Sequence, residues 1–279
     1  MEMWKAVLLE MVADDVGNGD VTSNSTIPKD AQISAEILAH RPGTAAGISE
    51  ACWLFEKFGI SATPKVRDGS RFSANTPLIS LRGNARKIFA IERTALNILG
   101  RLCGIATATA YSVAILHRAH STAKIAATRK TLLPHLDKKA VVLGGGWSHR
   151  WGLDDMVLIK SSHLRLAGSV KEAVAAARKS VGRRMKIEIE VSTPAQALEA
   201  ARCGADIVML DNFTPRKIDA SVRLLKSAGL RKKVKLELSG GITPANLPKF
   251  AKLGADIISM GWLTHSTPWL DVSLRILRK

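Results

Sequence analysis

From about residue 120 onward, short apolar runs alternate with longer amphipathic stretches. The apolar runs have the length of strands: KIAAT (124–128), MVLIK (156–160), KIEIEV (186–191), DIVMLD (206–211), VKLELSG (234–240) and DIISMG (256–261). Because strands that are apolar on both faces and alternate with helices form parallel sheets, this half of the chain is predicted to be α/β. Six such strands, without the glycine fingerprint of a doubly wound sheet, favour a barrel.

Four amphipathic stretches between these strands are predicted to be helices. Each ends on glycine shortly before the next strand, as helices commonly do, and three open with Thr-Pro, which is typical of an N-cap followed by the first helical residue. The stretches are 169–182, 192–204, 214–229 and 243–254.

The first 100 residues have a different pattern, with short polar-alternating segments broken by Gly, Pro and Asn. They predict a separate α+β domain with a small antiparallel sheet. Residues 86–119 are a long helical stretch, which we expect Gly100 and Gly104 to divide into two helices that bridge the domains. The predicted domains are residues 1–103, a barrel at 104–265 and a C-terminal segment at 266–279.

Composition narrows the possible partners. The net charge of +17 is compatible with nucleic-acid binding, a basic pocket for anionic substrates, or a generally cationic surface. Clusters that interleave Lys and Arg with aromatic residues, as a stacking platform for bases requires, are absent. The runs Arg183-Arg184, 231–233 and Arg278-Lys279 are interpreted as solvated turns. We therefore do not expect nucleic acid to be a partner.

Three features that the sequence lacks bear on the cellular location of the protein: a membrane-spanning run, a signal peptide and paired cysteines. No apolar run has the length that a membrane span needs, and the N-terminal segment has acidic residues where a signal peptide has basic ones. The three cysteines lie far apart in the sequence, with no pair at metal-ligand spacing. We expect a cytoplasmic protein without a membrane segment.

Candidate chemistry follows the predicted strands, because reactive residues of parallel barrels lie where the strands end. A single lysine or aspartate in such a place is ordinarily a solvated end or a helix cap. Here every strand ends on a group that could contribute to one site, and these groups are, in chain order, Thr128-Arg129-Lys130, Lys160, Glu190, Asp211, Ser239-Gly240-Gly241 and Gly261.

The two kinds of strand end predict two kinds of contact. Backbone N–H groups at small residues before a helix can approach a phosphate closely, so the glycines predict a phosphate site. Glu190 and Asp211 end neighbouring strands and could face one Mg²⁺ ion. The sequence repeats GADI at 204–207 and 254–257. We interpret these as equivalent barrel units, of which one ends on a metal carboxylate and the other on a glycine next to phosphate.

The segment 144–163 adds His149, Arg150 and His163 to Arg129, Lys130 and Lys160. So many cationic or potentially cationic groups repel one another unless they meet several negative charges. A dicarboxylate together with a pyrophosphorylated sugar would supply them.

Taken together, these segments resemble the quinolinate phosphoribosyltransferase family. The similarity extends over nearly the whole chain in the family's order, in GDVTS (19–23), IERTALNILGRLCGIAT (91–107), TRKT (128–131), GGGWSHRWGL (144–153), VLIK (157–160), EIEV (188–191), MLDN (209–212), LSGGIT (238–243) and SMGWLTHSTPWLDVSL (259–274). The resemblance implies an open seven-stranded α/β barrel with an N-terminal α+β sandwich-like domain, to which the C-terminal segment returns. It also implies a homodimer with shared active sites, or a hexamer built from dimers.

The resemblance further implies transfer of phosphoribosyl from phosphoribosyl pyrophosphate to quinolinate, with decarboxylation, in NAD biosynthesis. Arg93 would reach the neighbouring subunit's site and bind quinolinate. Thr128 would lie in the substrate site, Arg129, His149 and Arg150 would hold the ring carboxylates, and Lys130 and Lys160 would lie between the two substrates. Glu190 and Asp211 would contact the ribose hydroxyls and Mg²⁺, and Ser239, Gly240, Gly241 and Gly261 would line the 5′-phosphate site.

The sequence departs from the family pattern at two places. After TRKT the family has Thr-Pro-Gly-Leu-Arg, whereas this chain has LLPHL at 132–136, is about two residues shorter and lacks an arginine. After Lys160 the family has Asp-Asn-His, and this chain has Ser161-Ser162-His163. Two alternatives stay open at this point: a molybdenum-operon paralog with the same fold, and a basic nucleic-acid-binding protein.

Overall fold

The computed structural model describes residues 3–277, so the predicted turn at Arg278-Lys279 lies outside it. The helices are α1 (Met3–Val16), α2 (Val21–Thr26), α3 (Ile48–Lys57), α4 (Ala85–Arg118), α5 (Pro134–Leu143), α6 (Ser161–Ala167), α7 (Val170–Val181), α8 (Pro194–Arg202), α9 (Pro215–Ser227) and α10 (Trp262–His265). The strands are β1 (Gln32–Ala39), β2 (Gly43–Thr44), β3 (Ser61–Pro64), β4 (Arg71–Phe72), β5 (Thr76–Asn84), β6 (Lys124–Ala126), β7 (Val157–Ile159), β8 (Ile187–Val191), β9 (Ile207–Asp211), β10 (Lys235–Ser239), β11 (Ile257–Ser259) and β12 (Val272–Ile276).

The chain forms two compact units. Within the described residues, the first comprises 3–110, 135–144 and 267–277, and the second comprises 111–134 and 145–266. These units differ from the predicted domains because α4 crosses the boundary at 103 and because α5 packs in the first unit. There, Arg101 on α4 makes two ionic hydrogen bonds to the buried Asp137 on α5, at 2.8 and 2.6 Å.

The first unit contains an antiparallel sheet with the strand order β12-β1-β5-β3. Its last strand along the chain, β12, pairs with β1 from Ala35↔Ile276 to Ala39↔Val272, which ties the C-terminal segment to this sheet. A separate two-stranded pair, β2-β4, completes the β structure of this unit. The α+β architecture predicted for the N-terminal part is thus confirmed.

Helix α4 is continuous over 34 residues, so the predicted break at Gly100 and Gly104 is wrong. Both glycines serve packing instead. A Cβ at Gly100 would lie 2.9 Å from the carbonyl oxygen of Leu270, and one at Gly104 would overlap the carbonyl oxygen of Pro268. Since the backbone N–H of Leu270 donates to the Gly100 carbonyl at 2.8 Å, the C-terminal segment lies directly on the helix backbone.

Among the described helices, α4 alone has the length and apolar composition to cross a membrane, which the sequence pattern did not predict. However, 61% of its most apolar window is buried within the structure. Such burial is typical of the core helix of a soluble fold.

The second unit contains a parallel sheet with the strand order β6-β11-β10-β9-β8-β7, and its six strands are those predicted from the apolar runs. The expected seventh strand is reduced to a single parallel bridge between Trp147 and Ala126. Three of the four predicted helices are present as α7, α8 and α9, with Ser169, Thr193 and Thr214 as N-caps.

The fourth predicted helix, at 243–254, is replaced by turns around a 3₁₀ helix at Leu247–Lys249. Pro248 explains the difference, because proline lacks the N–H that a helix interior needs and its ring clashes with the carbonyl four residues earlier.

The repeated GADI segments form the same contacts at the starts of β9 and β11. Asp206 receives an ionic hydrogen bond from Arg178 at 2.7 Å and the first N–H of β8 at 2.9 Å. Asp256 does the same with Arg231, at 2.8 Å, and with an N–H at the start of β10, at 2.9 Å. Each aspartate therefore joins two neighbouring strands to an arginine, which lies in the last turn of α7 for Asp206 and in the turn after α9 for Asp256. The interpretation of the repeat as equivalent units is confirmed.

Candidate active site

A cavity of about 580 Å³ opens at the carboxyl ends of the second unit's strands. All but one of the barrel residues that the sequence predicted for the site line this cavity; the exception is His163, whose Nδ1 accepts the Lys160 N–H. Those that line it are Thr128, Arg129, Lys130, His149, Arg150, Lys160, Glu190, Asp211, Ser239, Gly240, Gly241 and Gly261. They come together because parallel strands present their carboxyl ends at one edge of the sheet.

Arg93 is the predicted site residue that lies elsewhere. It is exposed on α4, in the first unit, and is not among the described residues that line the cavity. Its expected place in a neighbouring subunit's site concerns a second chain, so it stays a prediction.

Two carboxylates mark one side of the cavity. Glu190 and Asp211 end the adjacent strands β8 and β9 and are both half-buried. Asp211 accepts a hydrogen bond from the side chain of Asn212 at 2.7 Å, which orients one of its oxygens. Two neighbouring carboxylates with partial access to solvent are a suitable donor set for Mg²⁺, which prefers oxygen ligands and retains several waters.

The two glycines after β10, the strand that pairs with β9, are required for different local reasons. Gly240 and Gly241 have φ values of 93° and 61°, in the left-handed region where glycine is favoured. A Cβ on Gly240 would overlap the Asn212 side chain, whereas one on Gly241 would meet no atom within 4 Å. Thus Gly240 is required by protein packing, and Gly241 leaves open space in the cavity wall.

Gly261 lies between two side chains that could contact an anion. A Cβ there would be 3.3 Å from Lys130 Cδ and 3.3 Å from His265 Nε2. The Thr264 hydroxyl donates to the backbone carbonyl of Lys130 at 2.8 Å, so the loop after β11 and the loop after β6 are held together.

The cationic groups differ in burial. Arg129, Lys130 and Lys160 are exposed at the mouth, whereas Arg150 is buried and donates to the carbonyl of Met156 at 3.1 Å. Burial, followed by the like charge of Arg129, lowers the pKa of Arg150 from its usual value. An anion bound here would therefore find a partly desolvated guanidinium.

The segments that depart from the family pattern adjoin the cavity. Leu132 is 88% exposed, in the short connection that precedes α5. Ser161 and Ser162 are the first residues of α6, and the N–H of Lys160 donates to His163 Nδ1 at 2.9 Å. These local contacts place Lys160 at the N-terminus of α6 with serines in the two following positions.

A buried cluster beneath the mouth was not predicted from the sequence. His149 Nε2 lies 3.0 Å from Glu237 Oε2 and 3.3 Å from Glu188 Oε2, and the Ser259 hydroxyl donates to the other oxygen of Glu237. Both glutamates have zero exposure. The sequence signal was the alternation in IEIEV and in KLELS, which places Glu188 with Glu190, and Glu237 with Ser239, on one strand face.

Two groups of the cluster have shifted pKa values. Burial opposes the charge on His149, but the hydrogen bonds to Glu188 and Glu237 outweigh it and raise the pKa of His149 to about 9. Burial above all raises the pKa of Glu188 to about 7. His149 and Glu188 therefore compete for one proton. Because the backbone N–H of Arg150 points at His149 Nδ1 at 2.8 Å, a proton on Nδ1 would oppose another donor, which favours Glu188 as its site.

Comparisons with known proteins agree with this geometry. Residues 20–103 match the N-terminal domain of quinolinate phosphoribosyl transferase, and residues 105–275 match its C-terminal domain. The chain is 38% identical, over 97% of its own length and 98% of the relative's, to a protein of Methanothermobacter thermautotrophicus named probable nicotinate-nucleotide pyrophosphorylase (carboxylating).

Two further relatives extend the comparison. The human nicotinate-nucleotide pyrophosphorylase (carboxylating) is 37% identical, over 88% of this chain and 82% of that protein. The solved structure of the nicotinate-nucleotide pyrophosphorylase from Francisella tularensis superposes with a TM-score of 0.90 at 34% identity, covering 98% of this chain and 95% of the other. The likeness therefore includes both sequence and fold over nearly the entire length.

Proposed function

The chain belongs to the quinolinate phosphoribosyltransferase family, and we propose that it transfers phosphoribosyl from phosphoribosyl pyrophosphate to quinolinate. The products are nicotinate mononucleotide, pyrophosphate and CO₂, and the reaction belongs to NAD biosynthesis. The single observation that supports this most strongly is the one cavity in which two carboxylates, a glycine-lined wall and a group of lysines and arginines converge.

Binding of the sugar diphosphate follows from the charge distribution of the cavity. The backbone around Gly241, with its open space, and the side chains near Gly261 would receive the 5′-phosphate. Glu190 and Asp211 would accept hydrogen bonds from the ribose hydroxyls. Lys130 and Lys160 would neutralise the pyrophosphate as it leaves ribose C1 through an oxocarbenium-like state.

The carboxylates of Glu190 and Asp211 fit the Mg²⁺ ion that the family resemblance implies. Both are half-buried, end adjacent strands and offer hard oxygen donors. When bound, Mg²⁺ would supply charge for the departing pyrophosphate. The chain's own contribution is to hold the two donors at one edge of the sheet.

The second half of the reaction depends on orientation of the pyridine. Arg129 and Arg150, with the His149 ring lining the cavity beside them, would hold the two carboxylates of quinolinate so that the ring nitrogen attacks ribose C1. The positive charge on the alkylated nitrogen then stabilises the electron pair that stays on the adjacent ring carbon when its carboxylate leaves as CO₂, and that carbon takes up a proton from water to give nicotinate mononucleotide. Arg150, buried and partly desolvated, is well placed to orient a carboxylate rather than water.

The assembly and location are part of the same proposal. An exposed Arg93 on α4 suits a contact with a second subunit, so we propose a homodimer with shared active sites, or a hexamer of such dimers. We also propose that the protein is cytoplasmic.

The decisive experiment measures pyrophosphate release from phosphoribosyl pyrophosphate by the purified protein, with and without quinolinate. We expect release only with quinolinate, matched by equal amounts of CO₂ and nicotinate mononucleotide. Lys160→Ala protein, prepared in the same way, serves as the inactive control. Quinolinate-independent release, or no release under any condition, would favour the molybdenum-operon paralog.

A further inference from the structure

The arrangement of the buried cluster suggests a role for Glu188 that the reaction outlined above does not include. Glu237 lines the cavity and has Ser259 as a second partner, whereas Glu188 does not line it. Within residues 3–277, Glu188 Oε2 makes an ionic contact of 3.3 Å with His149 Nε2, and neither Glu188 oxygen meets the geometry of a hydrogen bond. The charge of Glu188 also favours the charged form of Arg150, so Glu188 acts on the substrate site through His149 and through Arg150.

The imidazole has a defined orientation. Its Nδ1 faces the backbone N–H of Arg150 at 2.8 Å, which is a donor, so Nε2 carries the ring hydrogen that points to the carboxylates. A metal ion bound to Nε2 would displace this hydrogen and force Nδ1 to become a donor toward another donor. The three side chains could otherwise be taken for a metal site, and the tautomer argues against it.

The backbone of His149 is held in an uncommon conformation. Its φ of 54° is in the left-handed region, which is unfavourable for a residue with a side chain and needs compensating contacts. Glu188 on β8 and Glu237 on β10 supply these contacts, because their carboxylates hold the ring at Nε2. We call this pair of contacts the grip on His149. His149 Nδ1 also accepts the hydrogen bond from the Arg150 N–H. The contacts that hold the ring therefore also fix the backbone of Arg150 and, with it, the position of its guanidinium.

The energetics of the cluster point in the same direction. A buried ion pair is weak evidence for stability, since replacement of the whole pair by well-packed apolar residues is often neutral or stabilising. A group of that kind in the barrel interior is better explained by what it positions.

We propose that Glu188 is a positioning residue for the quinolinate site, which acts by gripping His149 Nε2–H together with Glu237 and thereby placing Arg150. This inference rests on the proposed function for its substrate. It predicts an effect on quinolinate that is separate from any effect on phosphoribosyl pyrophosphate, because Glu190, Asp211 and the glycine wall make no use of the grip.

The test compares Glu188→Leu and Glu188→Gln with wild type, using Glu199→Gln, an exposed glutamate on α8, as the matched control. The apolar variant should raise the KM for quinolinate about 10-fold or more, equivalent to about 1.4 kcal/mol, and leave the KM for phosphoribosyl pyrophosphate within about twofold. The amide variant, whose oxygen still accepts from Nε2–H, should stay within about threefold of wild type for both substrates.

The melting temperature of each variant is measured alongside, because a purely structural role would couple a lower melting temperature to losses for both substrates. A parallel rise in both KM values, or no rise in either, overturns the proposal. So does a lowered melting temperature accompanied by a general loss of activity.

A second measurement uses the wild-type protein and does not depend on turnover. Nitrogen-15 NMR of labelled histidines, with the His149 signal assigned by its loss in His149→Gln, should show a hydrogen on Nε2. An Nε2 without hydrogen, or about one equivalent of tightly bound transition metal in the purified protein, overturns the proposal in favour of a metal site. Should wild type fail to use quinolinate while this signal is as expected, the proposed substrate fails and the grip on His149 does not.

Discussion

At the scale of single residues, Arg150 says most about what the cavity binds. Its guanidinium is buried, near Arg129, and has the Met156 carbonyl as a neutral partner. Burial and like charge both act against its positive charge, so an anion that enters the cavity gains from pairing with it. The number of positive charges near Arg150 predicts how many negative charges the ligand carries.

Counting these charges predicts a strong preference for quinolinate over nicotinate. Arg129, Arg150 and, in a dimer, Arg93 of the second subunit offer more positive charge than one carboxylate balances. A monoacid would lack the ionic contacts that the second carboxylate makes in a partly desolvated site, and loss of one partner of a buried ionic contact costs roughly 3–5 kcal/mol. The ratio of kcat/KM for the two acids should therefore be on the order of 10²–10³. A ratio near one would mean that the shortened segment at 132–139 has changed the substrate.

The half-buried carboxylates give a second prediction at this scale. Glu190→Gln and Asp211→Asn should each lower the rate about 100-fold or more, the scale of losing one preorganised electrostatic contact. The loss should be accompanied by weaker use of phosphoribosyl pyrophosphate and of Mg²⁺, with little change in quinolinate affinity. Steady-state kinetics over a Mg²⁺ titration measure these effects. A variant that keeps wild-type kinetics at low Mg²⁺ would show that the substituted residue does not bind Mg²⁺ or the ribose.

At the scale of elements, the repeated aspartates explain how neighbouring strands start in register. Asp206 and Asp256 each accept a backbone N–H at the start of an adjacent strand while pairing with an arginine, which lies in the last turn of α7 for Asp206 and in the turn after α9 for Asp256. Burial raises the pKa of each carboxyl, but the hydrogen bonds from arginine, lysine and backbone N–H outweigh it, so the pKa of both lies below the usual value.

We expect Asp206→Asn to lower the free energy of unfolding by on the order of 1 kcal/mol at pH 7, allowing for partial exposure. The folded pKa lies below the unfolded value of about 3.9, so this stabilisation is present above that pH and is lost as the pH falls through the folded pKa. Wild type and variant should thus converge in acid. Urea unfolding measures it, with Asp219→Asn, on an exposed i,i+4 pair, as the control that should change little. A constant difference down to acid pH would exclude the ionic explanation.

At the scale of the whole molecule, the first unit supplies the exposed Arg93 and the second unit supplies the cavity. Family membership covers both units, since the two domain matches together extend from residue 20 to residue 275. The catalytic proposal needs a second chain only for Arg93.

A mixing experiment tests the shared site. Arg93→Ala and Lys160→Ala proteins should each be nearly inactive, because each would lack one contribution to every site. After subunit exchange, hybrid dimers would have one intact site, and up to about a quarter of wild-type activity should return on statistical exchange of dimers. Exchange is verified by mass spectrometry of differently tagged chains. If exchange is complete and activity stays absent, Arg93 acts within its own chain or has another role.

Much of the fold and site followed from local patterns. The apolar runs predicted all six barrel strands, because a strand buried on both faces is recognisable from its own residues. The strand-end rule then brought ten distant residues into one cavity, because parallel strands share an edge. Glu188 and Glu237 were not predicted as site residues, because their role depends on contacts with His149, which lies far away in the sequence.

The sequence by itself therefore determined the strands, three barrel helices, their caps and the polar groups at the strand ends, all of which depend on neighbouring residues. Only the tertiary structure decided that Gly100 and Gly104 continue a helix, because the carbonyls that occupy the space of their missing side chains belong to residues 268–270. The same reason applies to the grip on His149: burial and the meeting of distant side chains, rather than local propensity, give a residue its partners and its charge.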